Sequence, residues 1–353
     1  MNDCLSILFV GELLKGKTSH QRFCALEQLG HRVWPVDLTL RSRFTPRAVL
    51  SRLSHKLFRM GVPYLGPLDL AGINRRILDL ACTRSVDVLW LEKGIHVHRS
   101  TLQRVKETGQ SCTIIGYCPD DMGARHNQSG QFLRSLPLYD VYFTTKTYGV
   151  EELKALGCPR VHFVANAFDP NTHRPVTLTA ERKKLLGASV GFVGTFEEDR
   201  ARSMDFLASQ GIGVRIYGND WQSFHPSSPN LRIEGRAVYG DEYAEVLCAC
   251  DINLCFLRRM NRDRQTQRSV EIPACGGFML AERTEEHLEL FKEGKEAEFF
   301  GSDEELVSKV RYYLDHPDER KRIAAAGRER CLRSGYSYHD RLRWMLKMGV
   351  ESR

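Results

Sequence analysis

The stretch from Asp251 to Ala281 decides the fold class, and it reads DINLCFLRRMNRDRQTQRSVEIPACGGFMLA. Two short apolar runs, Asp251–Phe256 and Phe278–Ala281, enclose a polar loop and a segment that ends in Gly276-Gly277. Short apolar runs bounded by turn residues are typical of strands buried in a parallel sheet. The stretch therefore predicts a strand, a functional loop, a helical segment and a second strand.

The same alternation of apolar runs and helical segments extends along the whole chain. It loosens between residues 166 and 175, where Asp169-Pro170-Asn171 and Arg174-Pro175 are turn signals. We therefore predict an α/β protein of two Rossmann-like, doubly wound domains that face across a cleft. The predicted domains are residues 1–170 and 171–337. Six strands are predicted in each series: Ser6–Val10, Arg32–Val36, Val86–Leu91, Cys112–Gly116, Asp140–Thr144, Arg160–Val164, then Val190–Gly194, Gly213–Tyr217, Leu231–Glu234, Asp251–Phe256, Phe278–Ala281 and Glu296–Phe300.

Composition indicates a globular protein rather than a disordered or membrane-spanning one. Of 353 residues, 42% are hydrophobic and 27% are charged, and no apolar run approaches the roughly 20 residues that span a bilayer. Eleven cysteines follow no disulfide pattern and form no Cys-x-x-Cys pair, which favours a reducing compartment. We expect a cytoplasmic location.

The net charge of +7 is moderate, and basic residues are densest in residues 41–59. There Arg41, Arg43, Arg52 and Lys56 alternate with leucines in a basic amphipathic pattern. Three interpretations stay open: a solvated helix face, an element that faces an acceptor or a membrane surface, and a contact with DNA. The sequence gives no oligomeric state.

Three loops in the second half follow predicted strands and carry candidate donor-binding residues. In the first, Gly194 allows close backbone approach, Thr195 follows it, and Arg200 opens a helix whose N-terminus favours an anion. In the second, Tyr217 and Gly218 are placed to flank a base or a sugar, although a structural turn explains them equally well.

The third loop is the strongest signal, because Thr266, Arg268 and Glu271 precede Gly276-Gly277. A carboxylate here can accept hydrogen bonds from a ribose diol, and an arginine can neutralise a diphosphate. The alternative is that Glu271 pairs locally with Arg268 at i, i+3.

The second half of the chain resembles the CgeB-like (spore-maturation type) glycosyltransferases of the wider GT-B group. The residues that carry the resemblance are Arg268–Leu280, Phe291–Glu296, Val310–Pro317, Ala325–Arg330 and Gly191–Arg200. The resemblance implies a GT-B fold in which Glu271 holds the donor ribose and a C-terminal helix, about residues 338–353, packs back on the first domain. It also implies a metal-independent reaction without a cofactor. Related enzymes often carry an acid seven positions before this glutamate, where this chain has Arg264.

Candidates for the acceptor side come from the first half. Gly11 and Glu12, with His20 at the next helix, resemble the acceptor loop of such enzymes, and Lys93 follows a later strand. The pair Asp120-Asp121 resembles the acidic pair of the family at this place.

An inverting transfer needs a general base, and Asp120, Asp121 or His98 are the catalytic candidates, with His96 as a further competitor. Pro119-Asp120-Asp121 is also a good turn and helix-cap sequence, so a structural role stays open.

Together these features predict a glycosyltransferase that moves a sugar from a nucleoside-diphosphate sugar to an acceptor hydroxyl. The acceptor is open among a glycan, a protein, a small molecule and a modified DNA base. The alternatives are a nucleotide-sugar epimerase-like enzyme of the same fold and a non-catalytic protein that binds nucleotides or nucleic acid.

Overall fold

A computed structural model describes residues 4–39, 46–59, 67–108 and 111–350. The chain divides into two compact units. The first contains Met1–Ala165 and His339–Arg353, and the second contains Asn166–Tyr338. Each unit is built around one parallel sheet of six strands, so the predicted α/β class with two doubly wound halves is confirmed.

The first unit orders its strands β2-β1-β3-β4-β5-β6, and all neighbours are parallel. The strands are β1 Ser6–Gly11, β2 Arg32–Asp37, β3 Val88–Glu92, β4 Thr113–Cys118, β5 Val141–Thr144 and β6 Val161–Phe163. Residues such as Ile7, Leu8 and Phe9 are wholly buried, as expected for strands covered on both faces. The order of the strands reverses between β1 and β3, which makes their carboxyl ends the place where this sheet offers a ligand crevice.

Helices connect these strands. They are α1 Thr18–Gln28, α2 Pro46–Arg59, α3 Ile73–Thr83, α4 Arg99–Glu107, α5 Gly130–Ser135 and α6 Gly149–Ala155. Within the basic segment 41–59, residues 41–45 lie outside the described residues, and the remainder forms α2.

The second unit orders its strands β12-β11-β10-β7-β8-β9, again all parallel. The strands are β7 Val190–Val193, β8 Val214–Tyr217, β9 Leu231–Ile233, β10 Ile252–Cys255, β11 Met279–Glu282 and β12 Glu298–Phe300. Here the order reverses between β7 and β10, which lie side by side although about 60 residues separate them along the chain.

The helices of the second unit cover both faces of its sheet. They are α7 Ala180–Leu186, α8 Glu198–Ser209, α9 Gly240–Ala249, α10 Arg268–Ala274, α11 Glu285–Leu290, α12 Asp303–Asp315 and α13 Pro317–Arg333. The core contains Val190, Phe192, Met204, Ile252 and Leu280, all almost fully buried.

The last helix, α14 Tyr338–Val350, packs in the first unit. Trp344 makes an edge contact with Phe143 of β5, with ring centroids 5.6 Å apart, and a second with His162 of β6 at 6.2 Å. The Gly349 carbonyl accepts a hydrogen bond from Arg160 at 3.4 Å.

No helix in the described part of the chain combines the length and the apolarity that crossing a bilayer requires. All eleven cysteines carry free thiols.

Candidate functional site

The reversal point of the second sheet brings two of the predicted donor loops together. β7 runs into Gly194 and Thr195, and β10 runs into the loop that leads to α10. Because the two strands are parallel neighbours, both loops leave the sheet at the same edge. Ligands of open α/β sheets bind at such an edge.

Two arginines meet at this edge on one aromatic ring. The guanidinium of Arg200, in the first turn of α8, lies 5.2 Å from the centre of the Phe192 ring, and that of Arg268 lies 5.6 Å from it. One nitrogen of Arg268, Nη1, would be 3.5 Å from a Cβ atom placed on Gly194. Arg268 is therefore adjacent to the glycine that follows β7.

The arginine pair has fewer hydrogen bonds than it has donors. Nη2 of Arg200 donates to the Thr195 carbonyl, and Nη2 of Arg268 donates to the Phe256 carbonyl at 3.3 Å. By contrast, Nε and Nη1 of Arg200 and Nε of Arg268 are buried without a hydrogen-bond partner. Buried donors are nearly always paired in folded proteins, so each of these is exceptional.

The charge of the pair is also poorly compensated. Burial, and next the positive charge of Arg268, lower the pKa of Arg200 to about 10. Glu197 opposes the shift, but its carboxylate is already 2.7 Å from Arg258. The two guanidinium groups therefore form a positive site to which an anion would add favourable energy.

Close packing explains why Gly194 and Gly218 are glycines: a Cβ atom on Gly194 would overlap the Phe192 ring, and the loop of Gly218 packs against Gly194. A Cβ atom on Gly218 would overlap the Gly194 carbonyl oxygen, which also accepts a hydrogen bond of 2.9 Å from Trp221 Nε1. The Gly194 amide donates to the Tyr217 carbonyl at 2.8 Å. The ring of Tyr217 is fully buried and its hydroxyl donates to the Leu186 carbonyl at 2.9 Å, so its side chain serves packing within the unit.

Glu271 lies one helical turn after Arg268 and is 6% exposed. Its Oε2 accepts a hydrogen bond of 2.6 Å from the Tyr243 hydroxyl, and its Oε1 is 3.6 Å from Nε2 of His173. Burial, and next the charge of Glu271, raise the pKa of Tyr243 well above its ordinary value. The phenol therefore stays protonated and acts as a donor to the carboxylate.

A buried hydrogen-bond chain fixes the start of α10. The Ser269 hydroxyl accepts from the Thr266 amide at 2.9 Å and is 2.7 Å from Nε2 of His287. The other ring nitrogen of His287 is 2.7 Å from the Glu282 carbonyl, which can only accept. Nδ1 thus carries the proton and the serine donates to Nε2. Burial lowers the pKa of His287 to about 4, so the ring is neutral near pH 7. Thr266 is part of this anchor, whereas the Arg264 side chain is exposed.

In the first unit, Gly11 ends β1, Glu12 follows it, and His20 lies in the first turn of α1. A Cβ atom on Gly11 would overlap the Ser19 hydroxyl, so the strand and the helix approach closely. Glu12 is exposed, and its carboxylate is 3.8 Å from Lys17 Nζ. The His20 ring nitrogens are 3.7 and 3.8 Å from Cys24 Sγ.

Lys93 and Asp120 are brought together by the ends of β3 and β4. Lys93 Nζ donates to Asp120 Oδ2 at 2.9 Å and to Asn127 Oδ1 at 3.0 Å. The backbone φ of Lys93 is 62°, a left-handed conformation that costs a residue with a side chain about 1–2 kcal/mol. Such strain persists where the surrounding structure enforces it, and it is concentrated at functional sites.

The other catalytic candidates have different surroundings. Asp121 is fully buried, and its Oδ1 accepts from the amides of Gly123 and Ala124 at 3.1 and 3.2 Å, which is the turn role that its sequence also allowed. His98 is half-buried at the N-cap of α4, and its ring does not cap that helix. Of the two aspartates, Asp120 is the one that solvent reaches.

Several site residues were not predicted. Tyr243 lies inside α9 and His173 in a turn of the linker region, and neither position carries a local sequence signal. Arg22 forms a buried ion pair with Glu92 at 2.6 Å, and Glu92 lies next to Gly11. A missed signal is the spacing of Gly11, Gly16, Lys17 and Thr18 between β1 and α1, which matches the G-x-x-x-x-G-K-[ST] pattern of phosphate-binding loops.

Comparisons with known proteins give a family match over part of the chain. Residues 200–347 match the family model described as glycosyl transferase-like, which covers less than half of the 353 residues. No curated protein sequence matches the chain.

Solved structures share the fold over nearly the full length. HepE from Anabaena, in complex with UDP-glucose, is 12% identical, with 99% of this chain and 100% of that chain covered and a TM-score of 0.62. Sucrose-phosphate synthase from Thermosynechococcus elongatus is 12% identical, with coverages of 99% and 98% and a TM-score of 0.64. An α,α-trehalose-phosphate synthase (UDP-forming) from Burkholderia vietnamiensis is 11% identical, with coverages of 99% and 100% and a TM-score of 0.63. This likeness confirms the predicted GT-B fold, and the family match supports the predicted glycosyltransferase class for the second half.

Proposed function

We propose that this chain transfers a sugar from a nucleoside-diphosphate sugar to an acceptor hydroxyl. The chain has the GT-B fold, and its residues 200–347 are glycosyl transferase-like. The observation that carries the proposal is the pair of Arg200, which is buried, and Arg268, which is half-buried. The pair keeps buried N–H donors without partners at the reversal point of the second sheet. Glu271, one turn further on, provides a carboxylate for the ribose. The positive charge of the arginines suits a diphosphate, and the carboxylate of Glu271 suits a ribose diol.

The arginine pair would supply the main rate enhancement of the transfer. When the bond from the sugar to the donor breaks, negative charge develops on the departing diphosphate. Fixed positive groups in a site without water stabilise that charge at little reorganisation cost. On the acceptor side we assign Asp120 as the general base that takes the hydroxyl proton, with Lys93 holding its carboxylate in place. We propose that the reaction needs no metal or other cofactor.

Donor binding tests the proposal directly. Titration calorimetry of the wild type with UDP-glucose, UDP and GDP should show selective binding of one nucleotide. Arg268→Ala and Arg200→Ala should each weaken it at least tenfold, because a hydrogen bond to a charged group contributes about 1.5–3 kcal/mol. Arg202→Ala is the matched control, since Arg202 lies on the same helix and pairs at the surface with Glu198. A wild type that binds no nucleotide, or arginine variants that bind as the wild type does, would refute the proposal.

Turnover separates transfer from its rivals. Release of nucleoside diphosphate should require a hydroxyl acceptor, and Asp120→Asn should abolish it while donor binding persists. The acceptor panel should include phosphorylated sugars because of the phosphate-loop spacing of Gly11 to Thr18. An epimeric nucleotide sugar formed without acceptor would identify an epimerase instead. Salt-sensitive DNA binding without sugar turnover would identify a nucleic-acid-binding protein.

The CgeB-like subtype and a cytoplasmic location are further proposals that rest on the sequence alone.

For the basic segment, α2 favours a membrane surface over DNA. Val49, Leu50 and Leu53 lie on one side of the helix and are 56%, 46% and 52% exposed, beside the exposed Lys56. Binding to the phosphates of DNA needs positive charge alone, whereas binding to an anionic membrane surface is strengthened by apolar and basic side chains together.

Vesicle binding tests this membrane contact. The protein should sediment with vesicles of phosphatidylglycerol and phosphatidylcholine, and Leu50→Ser with Leu53→Ser should abolish the binding. Leu185→Ser is the control, because Leu185 is equally exposed in the other unit. Binding to duplex DNA but not to vesicles would contradict the assignment.

A further inference from the structure

The carboxylate of Glu271 is held by two side chains from separate parts of the second unit. Tyr243 comes from α9, and His173 comes from the turn that follows residue 169. The two rings pack edge to face, with centroids 5.5 Å apart and planes at 74°. Building on the proposed function, we infer that Tyr243 and His173 are positioning residues that fix the Glu271 carboxylate for the ribose hydroxyls of the donor.

Tyr243 restricts one oxygen of the carboxylate. Its hydroxyl donates to Oε2 over 2.6 Å, and burial keeps the phenol protonated by raising its pKa. An ionised carboxylate has about four acceptor sites on its two oxygens. The tyrosine occupies one of them and leaves others for a diol, and it stops the group from rotating about its terminal bond.

The ring of His173 faces the other oxygen. Its Nδ1 accepts a hydrogen bond of 2.9 Å from the Asp169 amide, so in the neutral ring the proton is on Nε2, the nitrogen that faces Glu271 Oε1 at 3.6 Å. The turn itself is fixed, because the Asp169 carboxylate accepts from the Thr172 hydroxyl at 2.6 Å and the Asp169 carbonyl accepts from the His173 amide at 2.7 Å. The ring is therefore held in one tautomer and one orientation.

These contacts predict an effect that depends on the ribose hydroxyls. If a residue only stabilises the fold, its replacement should weaken the binding of every nucleotide by the same factor. If a residue positions Glu271, its replacement should weaken the binding of a nucleotide with a ribose diol more than that of the same nucleotide without the diol. The ratio of the two affinities is thus the informative quantity.

The experiment compares UDP with 2′,3′-dideoxy-UDP by titration calorimetry on the intact 353-residue chain. The wild type should prefer UDP by about tenfold or more, as expected for hydrogen bonds to a carboxylate. Tyr243→Phe should reduce that preference at least threefold and leave the affinity for the dideoxy nucleotide within about twofold of the wild type. Tyr312→Phe is the matched control, because Tyr312 also donates to a carboxylate, that of Glu319 at 2.8 Å, on the exposed surface of α12.

A second pair of variants keeps the inference testable if Tyr243→Phe does not fold. His173→Gln retains an N–H donor and should keep most of the preference for UDP, whereas His173→Phe should lose it. Equal losses for both nucleotides, or an unchanged preference in all variants, would overturn the positioning role. A wild type that binds UDP without preference over the dideoxy form would overturn it as well, whereas a wild type that binds neither nucleotide would refute the proposed function itself.

Discussion

Replacement of His287 by glutamine should remove a large part of the acid sensitivity of the second unit. His287 is fully buried between Ser269 and the Glu282 carbonyl, and burial lowers its pKa to about 4 from its ordinary value of about 6.5. In the unfolded chain the ring takes up a proton near pH 6.5, but in the folded chain only near pH 4. The unfolded state therefore binds more protons between these values, and stability falls as the pH falls.

The size of the effect follows from the two pKa values. The contribution of His287 is fully present above pH 6.5 and is lost progressively as the pH falls toward 4. Between pH 7.5 and pH 4.5 it amounts to about 2–3 kcal/mol in the free energy of unfolding. His287→Gln keeps an acceptor for the Ser269 hydroxyl but does not titrate. The variant should therefore be less stable than the wild type at pH 7.5 and close to it, or more stable, at pH 4.5.

Equilibrium unfolding in urea at the two pH values measures this. Trp221 is the one tryptophan between residues 166 and 338, so its fluorescence reports on the second unit once Trp34, Trp90 and Trp344 are replaced by phenylalanine. Other groups that titrate in this range, such as Glu282 with its raised pKa, are common to both proteins and cancel in the difference. A loss of stability between pH 7.5 and 4.5 that is the same in both proteins would show that His287 is accessible to protons in the folded state, and the reasoning would fail.

Two further predictions concern packing and a buried charge. Gly218→Ala should abolish donor binding and lower the melting temperature, because its Cβ atom would overlap the Gly194 carbonyl. Gly213→Ala is the control: no atom lies within 4 Å of its Cβ position, so its free energy of unfolding should stay within about 0.5 kcal/mol of that of the wild type. Equal melting temperatures for the two variants would contradict this. Arg22→Met should destabilise the first unit by about 3–5 kcal/mol in urea unfolding because it leaves Glu92 charged and buried, and adding Glu92→Leu should restore most of that loss. A double variant as unstable as the single one would argue against an ion pair as the cause.

The fold was predictable because its signals are local. Each of the twelve predicted strands overlaps a strand of the structure within a few residues, since short apolar runs bounded by turns specify buried parallel strands. The start of α3, Ile73–Thr83, has no such local signal, because its N-cap is Gly72 in a left-handed conformation rather than a serine, threonine or aspartate.

The site was predictable only in part. Arg200, Arg268 and Glu271 stood out because they follow strands, and the structure places all three near the reversal point of one sheet. Their partners could not be found in this way, because Tyr243 and His173 approach Glu271 from 28 and 98 positions away along the chain. Contacts of this kind depend on tertiary structure, and no local pattern records them.

The position of α14 has a consequence for the order in which the chain becomes structured. The first unit is discontinuous: it needs residues 339–350, which follow the entire second unit in the sequence. At a synthesis rate of about 5–20 residues per second, the ribosome needs on the order of 10–35 s to pass through the second unit. During that time the surface of β5 and β6 around Phe143, which Trp344 later contacts, is without its helix. The second unit, whose residues are contiguous, can therefore be complete before the first, and the nascent first unit is the part of the chain for which a chaperone would have the most time to act.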